Sequence, residues 1–471
     1  VQREWEYDMR ISARGVAADR DLVDGALYCG TAIEEAAKQE AIELTGLENP
    51  KSREQMLTWL QGHGVAIPDL RSATVEDALE HKDEFEPDVA RVLELRQLLS
   101  KASIKKYSTV VTTMCEDGRI RGLLQFYGAN RTGRWAGRLV QVQNLPRTYL
   151  HGAMLDTARD LTRRKLPEGL ELLYGSVPGT LSQLVRTALV PRPGCKFVDA
   201  DFSAIEARVV AWLAGEEWVL QVFRTHGKIY EATASQMFGV PLDRIVKGNP
   251  EYALRQKGKV ATLALGYQGG SSALIAMGAL KNGLTEEELP DIVSRWRQAN
   301  RAIVRCWKAV EQAAIQAVET GRSCATHGLV FAREADIDSG LDFLTIRLPS
   351  GRKLYYAQPH FGVNQWGGKQ LRYYGMNQMT KKWSVVETYG GHMTENIVQA
   401  IARDCLAVNI ERLENAGFPI VFHIHDEVVI EVPEDRADLD EVTRIMGQPV
   451  EWAPGLPLAA DGWVGDYFTK D

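Results

Sequence analysis

Lys196-Phe-Val-Asp-Ala-Asp-Phe-Ser-Ala-Ile-Glu-Ala-Arg208 and His423-Ile-His-Asp-Glu-Val-Val429 are two acidic stretches more than two hundred residues apart in a chain of 471. The first reads as a strand running into a helix. Phe197 and Val198 are strand formers, Ser203 is a candidate N-cap, and Ile205, Val209, Val210 and Trp212 fall at helical spacing. Asp201 then stands at the strand's end. The second stretch lies inside 419–433, where two apolar β runs flank polar residues, the pattern of a hairpin with Asp426 at its tip. An Asp at a strand end, taken alone, is usually a cap or turn former. Two carboxylates on adjacent strand ends have another use, holding a pair of Mg²⁺ ions about 4 Å apart over a phosphate.

Between them lies Arg255-Gln-Lys-Gly-Lys-Val-Ala-Thr-Leu-Ala-Leu-Gly-Tyr267. In a helix, Arg255, Lys259, Leu263 and Tyr267 recur every four residues. Each step turns about 40° around the axis, so they form one slanted stripe. The stripe offers two cations, an apolar residue and an aromatic ring. A nucleoside triphosphate needs that order: charge for its phosphates, an apolar contact for the sugar, a flat ring near the base. An ordinary amphipathic helix with solvated Arg and Lys would show the same residues.

Together the three stretches resemble motifs A, B and C of the family A DNA polymerases, the family of bacterial DNA polymerase I. They stand in the family's order, and further similarity runs from about 100 to about 435 and more faintly to both ends. The wording of Gln256-Lys-Gly-Lys-Val-Ala and Glu395-Asn-Ile-Val-Gln-Ala-Ile-Ala-Arg-Asp404 is closest to a bacteriophage-type member. The resemblance implies an α+β right-hand architecture, with an antiparallel-sheet palm, helical fingers and a helical thumb. It also implies a template-directed DNA polymerase extending a primer 3′-hydroxyl with deoxynucleoside triphosphates.

Residue roles follow from the same resemblance. Asp201 and Asp426 would share two Mg²⁺, with Mn²⁺ as a substitute, and the Phe202 carbonyl would complete one metal's shell. Asp199, on the same strand parity as Asp201, is read as structural because the motif does not require it. Lys259 would act on the departing pyrophosphate, Arg255 on the γ-phosphate, and Tyr267 beside the nascent pair. Glu206 would crowd a ribose 2′-hydroxyl and so select deoxy sugars. Arg134, in Asn130-Arg-Thr-Gly-Arg-Trp-Ala-Gly-Arg138, would reach the minor groove at the primer end. Gln143, Asn144 and Gln399 would touch primer or template, and His425 and Glu427 would contact or support the primer terminus. Donors to the minor-groove acceptors common to all pairs report pair shape without reading sequence. Two departures limit the transfer. Leu263 stands where bacterial relatives have Phe, and Tyr230 where they have a phosphate-contacting His.

Composition sets bounds. Hydrophobic residues at 45% and charged residues at 25% are ordinary for a globular chain, which is long enough for several subdomains. No run of eighteen apolar residues indicates a membrane span. Six cysteines without a Cys-x-x-Cys pair read as reduced thiols, in keeping with a host-cytoplasmic location. A net charge of −7 argues against non-specific coating of nucleic acid. Arg119, Arg121, Arg131, Arg134, Arg138 and Arg147, however, form a run without Asp or Glu that suits a phosphate backbone. The chain opens Val1-Gln-Arg, and an expressed fragment or processed chain is expected, with any proofreading domain upstream.

Along the chain, 1–45 is expected to be a palm-side segment and 46–118 the thumb, with Ser52 capping a helix and helices at 53–64 and 75–108. Ser103, Lys105, Lys106 and Tyr107 are thumb positions for the product duplex. Residues 119–218 would form the first part of the palm. The fingers would be 219–393, with one long helical stretch from Thr285 to about Thr320 whose Trp296 and Trp307 are core. A β-rich insertion at about 325–390 has no evident role. Residues 394–471 would complete the palm, beginning with a helix at 394–415 and closing with a mixed tail from Ala437. A monomer is expected, with primer–template DNA and deoxynucleoside triphosphates as partners and room for an unnamed replication partner. The rival readings are a single-subunit RNA polymerase, an inactive polymerase-like accessory protein and a metal-dependent nuclease, the last without a further acidic cluster early in the chain to support it.

Overall fold

The computed structural model describes every residue except 101, 102, 339, 366, 378, 379, 470 and 471. At its centre is a four-stranded antiparallel sheet in the order Ile420–Ile424, Glu427–Pro433, Cys195–Phe202, Ala460–Gly465. Side-chain alternation gives this sheet two different faces. Val198, Ala200, Phe202, Val428, Ile430 and Val432 point into the main core. Phe197 and Val429 point into a second core, on the face that also carries Asp199, Asp201, Glu427 and Glu431. Both faces are covered, so the strands are apolar almost throughout and acidic at one end.

The main core is closed by the helices Ile205–Ala214, Leu254–Leu265, Arg301–Thr320 and Gly390–Asn415. Close approach is bought with glycine: a Cβ on Gly258 would stand 2.1 Å from the Tyr230 carbonyl, and one on Gly391 2.4 Å from the Tyr267 carbonyl. A six-stranded antiparallel sheet, 324–388, packs one face on the same core. A smaller core of Met56, Leu60, Val65, Val75, Val89 and Val92 stands apart, within helices and turns of 53–100. There Ser52 caps Arg53–Gly62, its hydroxyl accepting the Gln55 N–H.

Several expectations are revised. Ser203 is not the cap of Ile205–Ala214. Ala204 takes that position with φ 50°, a tight left-handed step from strand to helix. The helix expected over 75–108 is three: Ser72–Glu80, Pro87–Ser100 and Ser103–Thr113. Tyr107 is fully buried and donates to the Leu181 carbonyl at 2.7 Å, so it holds a helix in the second core and offers nothing to a duplex. The Ser103 side chain lies outside the described residues. The Thr285–Thr320 helix breaks at Asn300 into Leu289–Ala299 and Arg301–Thr320, although Trp296 and Trp307 are core and stack at 6.1 Å. The tail contains a helix, Leu439–Met446, and the Ala460–Gly465 strand that flanks Cys195–Phe202.

Candidate active site

Strand register brings the two aspartates together. Asp201 pairs directly with Glu427, the residue after Asp426, and the Phe202 N–H donates to the Asp426 carbonyl at 3.1 Å. His425, with φ 53°, makes the tight turn that places Asp426 at the hairpin tip. The site therefore sits at one end of the central sheet, where the strands stop and the Ile205–Ala214 helix begins.

A cavity of about 470 Å³ opens there, and Glu206, Leu263, Tyr267, Gln399 and Asp426 all line it, with Tyr230 on its wall. The Leu254–Leu265 helix carries Arg255, Lys259 and Leu263 on one stripe. Tyr267 lies two residues past the helix end and still reaches the cavity. Lys259 and Arg255 lie one and two turns back from Leu263, outside the cavity wall. Arg255 is held through its Nε by Glu231 at 2.8 Å and lies over the Tyr230 ring, which leaves its terminal N–H groups to meet a phosphate. Among the described residues Lys259 forms no ion pair.

Glu206 sits at a junction. Its carboxylate accepts from the Arg134 guanidinium at 2.7 Å and from the Tyr267 hydroxyl at 2.9 Å. Burial, followed by the Glu206 charge, pushes the Tyr267 phenol well above its ordinary value, so it stays a donor. Glu395 is raised for the same two reasons, and Gln399 donates to it at 3.1 Å.

The DNA-facing assignments divide. Arg134 and Gln399 face the site and His425 is exposed, whereas Asn144 is exposed with its amide on Gln141 and Gln143 packs against Gly137. Glu427 is only 1% exposed and cannot touch DNA in this structure, because strand pairing turns it onto the covered face of the sheet. The arginine run is not a continuous basic surface. Arg119 is buried on Glu431, Arg121 pairs with Asp117, and Arg134 with Glu206. Arg138 and Arg147 remain exposed.

Arg403 is a positioning residue that motif reading passed over. It is almost fully buried, donates to the Gly133 carbonyl at 3.0 Å, pairs with Glu4 and Asp404, and lies 4.3 Å from the Trp135 ring. It thus anchors the turn that carries Arg134. His423 stands edge-on to Trp135 at 4.6 Å, and burial lowers its imidazole to about 3, keeping it neutral. An Arg-Asp pair, Arg403-Asp404, in a mostly apolar stretch from Ile397 to Leu406 was the available signal.

The donor set suits Mg²⁺: two carboxylates and a backbone carbonyl, all hard oxygens, at a strand end beside an open cavity. Among the described residues no three His, Cys, Asp or Glu side chains gather as a metal cage. Mg²⁺ ordinarily takes one or two carboxylates and completes its shell with substrate phosphates and water.

A family model described as DNA polymerase family A matches residues 30–329. A DNA polymerase of Bacillus phage SP02 is 53% identical over 468 residues, 99% of this chain and 70% of that protein. The thermostable DNA polymerase I of Thermus aquaticus is 26% identical over 293 residues, 61% of this chain and 28% of its own length. Among solved structures, the POL domain of Pol1 from M. smegmatis, in complex with DNA primer-template and dNTP, has a TM-score of 0.62 at 18% identity. That likeness covers 98% of this chain and 69% of the other, and is one of fold. None of these matches supports a single-subunit RNA polymerase or an inactive accessory protein. With sheet, helices and site so arranged, the chain belongs to DNA polymerase family A.

Proposed function

We propose that the chain extends a DNA primer on a template by transfer of deoxynucleotides, at the cavity lined by Glu206, Leu263, Tyr267 and Asp426, and serves phage DNA replication in the host cytoplasm. The observation that carries this reading is the register that sets Asp201 opposite Glu427, the residue after Asp426, which lines that cavity. Asp201, Asp426 and the Phe202 carbonyl would hold two Mg²⁺, or Mn²⁺ in their place. Bound there, the ions would supply charge neutralisation and a lowered pKa for the attacking hydroxyl. No helix among the described residues is long and apolar enough to cross a membrane.

The chain's own groups do the positioning. Arg255, oriented by Glu231, offers its terminal N–H groups to the γ-phosphate, and Lys259 donates to the pyrophosphate as the primer 3′-oxygen bonds to the α-phosphorus and the bond to pyrophosphate breaks. Leu263 presents an apolar surface to the sugar. Glu206 stands against the 2′ position, held there by the Tyr267 hydroxyl once DNA is bound, so a ribose hydroxyl would meet an occupied carboxylate. As a duplex enters, Arg134 exchanges Glu206 for the primer-end minor groove. We assign 1–45 to a palm-side segment, 46–118 to the thumb, 119–218 and 394–471 to the palm, and 219–393 to the fingers, including the six-stranded sheet.

Primer extension with each deoxynucleoside triphosphate tests this. Asp201→Asn and Asp426→Asn should each lower the rate roughly a thousandfold or more, with primer–template affinity nearly unchanged. Chelation should stop extension, and Mg²⁺ or Mn²⁺ should restore it. Extension that survives Asp426→Asn would overturn the metal assignment.

A further inference from the structure

A second cavity, of about 610 Å³, lies between the 130–132 turn, the start of the Gly390–Asn415 helix and the outer face of the six-stranded sheet. Glu395 and Gln399 line both cavities, so this one adjoins the active site. Register sorts the sheet's side chains by face. Ala357 pairs with Phe343 and Tyr374, Tyr374 with Val385, and Met376 with Trp383, so these residues share one face with Tyr355. Leu344, Ile346, Leu354, Tyr356 and Tyr373 point the other way, into the main core.

An antiparallel sheet with one face on a core ordinarily turns polar residues outward. Here part of the outward face is aromatic, with the ion pairs Lys353–Glu334 and Arg372–Glu387 on the rest of it: Tyr355 is 57% exposed and Trp383 61%, and Tyr374, Met376 and Val385 are exposed with them. Such a patch on a water-facing surface marks a binding site. Its chemistry is specific. Arg131 stands at the cavity's edge, and Lys381 and Lys382 are exposed beside Trp383. Open rings with cations among them suit unpaired nucleic acid, whose bases stack on aromatic faces while the phosphates follow the positive charge. The core of a protein–protein patch is by contrast depleted of lysine.

We propose that this face holds unpaired template DNA continuous with the strand at the active site, its bases stacked on Tyr355, Tyr374 and Trp383. The identity of that strand rests on the polymerase reading; the binding itself does not. The contact gives the sheet a task that the catalytic cavity leaves unfilled: gripping the template outside the paired region.

Fluorescence anisotropy with a labelled primer–template tests it, comparing a twelve-nucleotide unpaired template extension with a blunt duplex of the same paired sequence. The full chain should bind the extended substrate about tenfold tighter than the blunt one. Tyr355→Ala combined with Trp383→Ala should remove most of that margin and leave blunt-duplex affinity unchanged, with an unaltered melting temperature. Tyr355→Phe with Trp383→Phe should restore it. Asp426→Asn should keep the margin while losing extension, which separates failure of this proposal from failure of the catalytic one. A margin that persists in the double alanine variant overturns the proposal, as does equal loss on the blunt duplex. Sedimentation that shows a dimer abolished by Trp383→Ala would give the face to a second copy of the chain and overturn it too.

Discussion

Arg403→Met removes a buried guanidinium and leaves an uncharged side chain of similar length. The Arg403 fork serves three groups: the Gly133 carbonyl at 3.0 Å, Glu4 at 2.7 Å and Asp404 at 3.3 Å. Asp404 keeps Arg352 at 2.7 Å and the Ser350 hydroxyl, so it stays satisfied. The Glu4 Oε2 that meets Arg403 is buried, but the side chain is partly exposed and can turn outward to water. The Gly133 carbonyl is stranded, at about 1–3 kcal/mol. Losing the guanidinium face over Trp135 adds about 1 kcal/mol. Relief of the cation's own desolvation offsets part of this, leaving a loss of about 2–3 kcal/mol. Urea denaturation reads that loss directly. The functional consequence is separate: the turn bearing Arg134 loses its anchor, so KM for primer–template should rise about tenfold while kcat changes far less. Arg403→Lys should recover the Glu4 pair without the Gly133 bond, giving an intermediate variant. A loss below about 0.5 kcal/mol would refute the account of the fork. An unchanged KM in a destabilised variant would refute the anchoring role.

Three further outcomes are expected. Glu206→Ala should lower the ratio of kcat/KM for deoxy- over ribonucleotides by about 10–100-fold; a ratio left intact would confine Glu206 to holding Arg134 and Tyr267. Gly258→Ala would drive a methyl into the Tyr230 carbonyl and part the Ile229–Phe238 and Leu254–Leu265 helices. A stability loss of about 1–3 kcal/mol, with a higher KM for nucleotide, checks that contact, and a neutral variant would refute it. His423 is kept neutral by burial, with its folded pKa lowered to about 3 from an ordinary 6.5. The unfolded chain binds that proton first, so the stabilisation is complete above about pH 6.5 and is lost as pH falls toward 3. Between pH 7.5 and 5.5 the chain should lose about 1.4 kcal/mol from this group. His423→Gln should lack that component in denaturant titrations at the two values, and equal pH dependence in both proteins would contradict it.

Sequence by itself determined what is local. The strand that carries Asp201 near its end, the hairpin tip at Asp426, the Ser52 cap and the stripe of Arg255, Lys259 and Leu263 all follow from residue type and spacing, because backbone preference and side-chain period act within a few residues. Their resemblance to family A motifs named the chemistry as well. Tertiary structure decided what covers each side chain. Tyr107 and Glu427 look available in the sequence and are buried, one by helix packing and the other by its strand partner. Arg119 lies in a run suited to phosphate and instead neutralises Glu431, more than three hundred residues away. The closing strand Ala460–Gly465, the helix restart after Asn300, where Glu216 accepts from the Ala302 and Ile303 N–H groups, and the anchoring by Arg403 likewise depend on partners distant in the chain. Periodicity assigns a residue to a face, but only the packed fold supplies the charge, carbonyl or strand that meets it.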